Sequence, residues 1–86
     1  MEIKKQVILR SVTGEHMLIP VGETVFKYNG IFMLTERGKF LWEHIVKGAE
    51  EKELKSLLAA EYELDESTAS ADVEEFLEML RAFEII

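Results

Sequence analysis

Cysteine is absent from this 86-residue sequence, which excludes disulfides and thiolate chemistry. No apolar run approaches the roughly 18 residues that a membrane-spanning helix needs, and the opening M-E-I-K-K-Q-V lacks the apolar core of a signal peptide. A cytoplasmic protein is therefore expected. Phosphate-cradling and nucleophile motifs are missing as well: there is no G-x-G-x-x-G, no P-loop and no nucleophile elbow. His16 and His44 fall on different expected elements and share no metal-ligand spacing with a third donor, so each reads as an ordinary surface residue. Glu74, Glu75 and Glu78 read as the solvated face of a helix, because acid–base catalysis needs an enclosed, perturbed carboxylate. No repeat, linker or low-complexity stretch occurs. The expectation is one domain spanning 1–86, without catalysis, cofactor or metal.

What is present is apolar material and acid. Hydrophobic residues make up 48% of the chain, too many for a disordered one. Residues 1–47 hold seven Lys/Arg and five Glu, a balance of +2; residues 48–86 hold three basic and twelve acidic groups, a balance of −9. An acidic second half is ill suited to neutralising phosphates, so nucleic acid is a poor partner. A partner with some positive charge suits it better.

The stretch V-F-K-Y-N-G-I-F-M-L-T-E-R-G-K-F-L-W, from Val25 to Trp42, organises the rest. Asn29-Gly30 between apolar-aromatic runs is a hairpin signal, since both residues accept the positive φ of a type I′ turn. Thr35 is placed to cap a helix that follows, with Glu36 in its first turn. A short strand, Ile31 to Leu34, is thus held between a turn and a helix. At the end of a sheet it would present an open hydrogen-bonding edge.

Upstream, Val7 to Val12 and His16 to Val21 read as strands around a Thr13-Gly14 turn, with Pro20 confined to a strand end, edge or bulge. Residues 23–28 either extend the second strand or form a further arm. The helices are expected at about 36–47, 50–62 and 66–82, the third capped by Asp65. Helical spacing gathers Gly38, Leu41, Trp42, Ile45 and Val46 on the core side of the first and leaves Phe40 almost opposite. The second helix buries Leu54, Leu57 and Leu58. Ala69, Val73, Phe76, Leu77, Leu80 and Phe83 form the stripe of the third, with Met79 flanking it beside Asp72 and Glu75. Ile85-Ile86 is expected to pack back. Strands followed by helices imply an α+β domain.

Three segments, G-E-H-M-L-I-P-V-G, N-G-I-F-M-L-T-E-R-G-K-F-L-W-E and E-Y-E-L-D-E-S-T-A-S-A-D-V-E-E-F-L-E-M-L, together resemble the PqqD-like family. The most specific parts are L-T-E-x-G-x-x-x-W (Leu34 to Trp42) and A-D-V-x-x-F-L-x-x-L (Ala71 to Leu80). The resemblance implies a winged-helix-like, three-stranded antiparallel sheet followed by a three-helix bundle. It also implies a non-enzymatic role: binding the leader of a ribosomally made precursor peptide by strand addition. The leader is then presented to a modifying enzyme, often a radical S-adenosylmethionine protein. Carried onto this chain, the peptide-binding positions are Ile31, Phe32, Met33 and Leu34 on the strand and Asp72, Glu75, Met79 and Phe83 on the helix. The family usually has Gly near the end of the third helix, where this chain has Phe83-Glu84, which implies a different helix ending. The link at 23–30 also looks longer than in the pyrroloquinoline quinone member, which places the chain in the wider family. Two alternatives share the fold or the setting: a winged-helix DNA-binding regulator, and a docking scaffold for a maturation enzyme. A monomer or weak homodimer is expected, because an open strand edge can also pair with its own copy.

Overall fold

The computed structural model describes residues 1–22 and 30–86. Three strands, β1 (Val7–Val12), β2 (Glu15–Pro20) and β3 (Phe32–Leu34), precede three helices, α1 (Glu36–Val46), α2 (Glu51–Tyr62) and α3 (Glu66–Ala82). The sheet is antiparallel in the order β1-β2-β3. This is the α+β class expected from the order of the elements.

Thr13 and Gly14 take φ of 53° and 80°, so the β1–β2 hairpin is closed by the positive-φ pair that a type I′ turn requires. The expected first arm of the second hairpin, and Asn29 of its turn, lie outside the described residues. Among the described residues β3 pairs with β2, His16 opposite Leu34 and Leu18 opposite Phe32. The strand begins at Phe32, one residue later than expected, so Ile31 precedes it. Pro20 is the last residue of β2, where its missing N–H breaks no interior rung.

The helix starts follow local chemistry. The Thr35 hydroxyl accepts the Gly38 N–H at 3.1 Å, and the Asp65 carboxylate accepts the Thr68 N–H at 2.7 Å. Each satisfies one of the donors a helix N-terminus leaves unpaired. At the far end of α3, the Glu84 N–H bonds the Arg81 carbonyl and the Ile85 N–H bonds the Leu80 carbonyl. This is a Schellman closure, whose left-handed position usually holds glycine. Here Glu84 adopts it, at φ 57°. The helix therefore ends by the usual hydrogen bonds in spite of the substituted residue.

The closing turn directs Ile85 inward, and Ile85 is buried with Leu54, Leu58, Val73, Leu77 and Leu80. α1 adds Leu41, Trp42 and Ile45, and β2 adds Leu18. Val46, expected on the core side, is 58% exposed instead, at the last residue of α1. Leu57 is half-buried rather than buried, and Phe40 is half-buried against His44 and Tyr62 rather than exposed. Phe83, placed on the core stripe of α3, is 41% exposed, since the stripe's last turn overhangs the end of the core.

Candidate functional site: a strand edge beside a groove

Strand parity fixes which backbone groups of β3 point outward. A two-residue hairpin turn closes on a hydrogen-bonded pair, here Val12 and Glu15. Alternation along β2 then directs Glu15, Met17 and Ile19 to β1, and the bond from Val21 N–H to the Gln6 carbonyl at 2.9 Å continues the series. His16 and Leu18 consequently face β3. Met33, opposite Met17, falls at a position that does not exchange bonds with β2. Its N–H and carbonyl are directed to the outer edge, and Met33 is 58% exposed.

Beside that edge, α3 stands off from the sheet and leaves a cleft of about 610 Å3. Leu34, Leu41, Phe76 and Met79 supply its apolar surface, and Glu36, Arg37, Asp72 and Glu75 its polar rim. Gly38 helps to form the floor: a Cβ there would lie 3.3 Å from Phe76 Cε1 and 3.5 Å from Leu34 Cβ. A glycine inside a helix costs about 1 kcal/mol relative to alanine. At this position it allows α1, Phe76 and Leu34 to approach closely.

The rim is held by polar contacts. Arg37 Nη1 donates to Asp72 Oδ2 at 2.5 Å, tying α1 to α3, and the guanidinium carbon lies 5.6 Å from the Tyr62 ring centre. The Tyr62 hydroxyl donates to the Glu36 carbonyl at 3.4 Å. Burial, followed by the nearby Glu36 charge, pushes the Tyr62 phenol above its usual range, so it remains a donor. His16 departs from the surface role expected of it, being only 6% exposed. It sits on the helix-facing side of β2 and contacts Ser11 Oγ at 2.6 Å through Nδ1 and Glu36 Oε1 at 2.8 Å through Nε2. These two contacts make its burial tolerable. The His16 hydrogen bond in turn holds the Glu36 carboxyl below the usual carboxylate range.

Of the eight positions singled out in the sequence, Met33, Leu34, Asp72, Glu75 and Met79 line the cleft together. Phe32 and Phe83 are not among its lining residues and meet each other, with ring centroids 4.7 Å apart and planes at 61°. Ile31 lies just outside the strand and is 56% exposed. Sequence reasoning missed Glu36, Arg37, Tyr62 and Phe76 as groove residues, and assigned Gly38 only to the core side. A glycine within a helical pattern was the available signal of close approach there. Nothing in the spacing of Arg37 and Asp72, 35 positions apart, announced their pairing. Among the described residues, no group of three or more His, Cys, Asp or Glu is arranged to hold a metal, and no helix is long and apolar enough to cross a membrane.

The family model described as PqqD, coenzyme PQQ synthesis protein D, matches residues 7–86. A solved structure described as TbiB1 in complex with the TbiA(beta) leader peptide is similar to this chain, with a TM-score of 0.78 and 25% sequence identity. The match covers 99% of this chain and 93% of that one. Among curated proteins none matches.

Proposed function

The chain belongs to the PqqD family, and we propose that it is a non-catalytic accessory protein that binds the leader of a ribosomally made precursor peptide. The single observation that carries this reading is the juxtaposition of an outward-facing backbone at Met33 with the apolar cleft under α3. Likeness to a structure determined with a leader peptide supports it. The leader adds to β3 as a fourth strand, gaining main-chain hydrogen bonds for affinity and side-chain pockets for specificity. Ile31, Phe32, Met33 and Leu34 supply the strand; Asp72, Glu75, Met79 and Phe83 supply the facing wall. The acidic rim favours a basic residue in the leader. The bound leader is then presented to a modifying enzyme, a radical S-adenosylmethionine protein being the type expected from the family resemblance.

An NMR titration of labelled protein with leader peptides from neighbouring small open reading frames tests this. Amide shifts concentrated at residues 31–34 and along 72–83 are the expected outcome. Shifts confined to the outer faces of α1 and α2 on addition of a maturation enzyme, with none from any leader, would instead establish a docking scaffold. DNA binding gains no support: α3 carries Glu66, Asp72, Glu74, Glu75 and Glu78 against Arg81, and those carboxylates would face phosphate charge.

A further inference from the structure

Two side-chain bridges reach the wall beside the cleft, one near each end of the stretch 72–83. At one end Phe32 of β3 meets Phe83, just beyond α3, in an edge-to-face pair. At the other, Arg37 reaches from α1 to Asp72 on α3. Asp72 and Phe83, the residue that caps the end of α3, are eleven positions apart, a span of about 16 Å at helical rise. An extended chain covers that distance in about five residues.

Pleating decides which of those residues look inward. Phe32 and Leu34 share the sheet face of Leu18, which is turned towards the helices and buried. Residues of an added strand opposite Phe32 and Leu34 therefore point into the cleft, and the one opposite Met33 points away. The next inward position lies opposite Glu36, where the strand has given way to α1. Among the side chains that line the cleft, the Arg37–Asp72 pair with the Tyr62 ring near it offers a charged rather than an apolar surface.

On the leader-binding reading above, we infer that Arg37 and Asp72 set the length of the recognised element. The groove reads an extended segment of about five residues, apolar at two inward positions separated by one residue. The ion pair ends the apolar register by denying a third such position. Arg37 and Asp72 are thus specificity-determining residues through what they exclude, since an apolar side chain placed on them would strip water from a charged pair without replacing it.

Selection from a displayed library of ten-residue peptides, each randomised at nine positions, tests this on the whole protein. With the wild-type chain, apolar residues should be enriched at positions i and i+2 and not at i+4. With the double variant Arg37→Met/Asp72→Leu, which removes both charges together, i+4 should become apolar as well. Peptides carrying Leu there should bind the variant about tenfold more tightly than their Ala counterparts, the preference expected for burying the extra apolar surface. Three apolar inward positions in the wild-type selection would overturn the inference, as would a variant whose preference stays at two. If the double variant fails to fold, judged by its amide spectrum, the wild-type selection alone decides the footprint. Failure of the underlying reading looks different: no peptide is enriched on the wild-type chain at all.

Discussion

α3 meets α2 and β3 differently. Towards α2 it is saturated: Val73, Leu77 and Leu80 are wholly buried against partners that include Leu54 and Leu58. Towards β3 it is less filled, with Met79 only half-covered, Phe83 packed on Phe32 but 41% exposed, and a cleft where a further layer would fit. One helix thus carries the stability of the fold on one side and an unfinished interface on the other. Such a division lets a small domain present the outer edge of β3, unpaired among the described residues, without depending on that edge to fold. Natural sheets generally blunt their edges; among the described residues, none pairs with the outward Met33 backbone beside the apolar wall.

The largest effect should come from damaging the saturated side. Leu58→Ala removes a wholly buried side chain between α2 and the rest of the core, and a loss of about 2–5 kcal/mol is expected in urea unfolding. The folded fraction should retain its peptide affinity. Loss of affinity in molecules still folded would show that the two sides of α3 are coupled, and the comparison would fail.

The converse change strikes the open side. Met33→Pro deletes the outward N–H while leaving the rungs to β2 intact. Peptide binding should weaken about tenfold or more, by titration calorimetry, with thermal stability close to that of the wild type. Undiminished binding in the folded variant would exclude strand addition at this edge.

How much of this was legible beforehand depended on the range of the interaction. Thr35, Asp65 and the Thr13-Gly14 turn were readable because each acts within three residues of itself. The α3 stripe was readable because helical period is local too, and it failed only at Phe83, where the core ends and periodicity carries no information about length. His16 was misread for the opposite reason. Its burial depends on Glu36, twenty positions away, and on the sheet register that brings Ser11 beside it. The Arg37–Asp72 tie and the cleft that it closes are long-range in the same sense. Five of the eight site positions line that cleft; the turn, cap and α3 stripe pointed to the strand and to Met79 beside Asp72 and Glu75, while their role in binding a leader came from the family resemblance.

A smaller effect sharpens the boundary between the two sides, at the end of α3. Glu84 holds a left-handed backbone at φ 57° that a side chain disfavours by roughly 1–2 kcal/mol. Glu84→Gly relieves that strain but restores flexibility to the unfolded chain, so a net gain below about 1 kcal/mol is expected. Because Phe83 immediately precedes it and packs against Phe32 of β3, the same variant should leave peptide affinity unchanged if the Schellman hydrogen bonds still hold the turn. Weaker binding together with greater stability would mean that the strained residue is retained to aim Phe83.

The smallest expected effect is a pH dependence seated at the start of α3. The Thr68 N–H, then the Thr68 and Ser67 hydroxyls, hold the Asp65 carboxyl below its ordinary range. A depressed folded-state pKa means that the unfolded chain takes up the proton first as pH falls. The contribution is therefore complete above the unfolded value of about 3.9 and disappears as pH drops through the folded value. Asp65→Asn keeps an oxygen acceptor for the cap and cannot titrate. Urea unfolding of both proteins between pH 7 and pH 2.5 should show wild type ahead at neutral pH and the difference closing below about pH 4. A difference that stays constant across that range would mean the cap acts through geometry alone, and that the charge at the head of α3 contributes nothing.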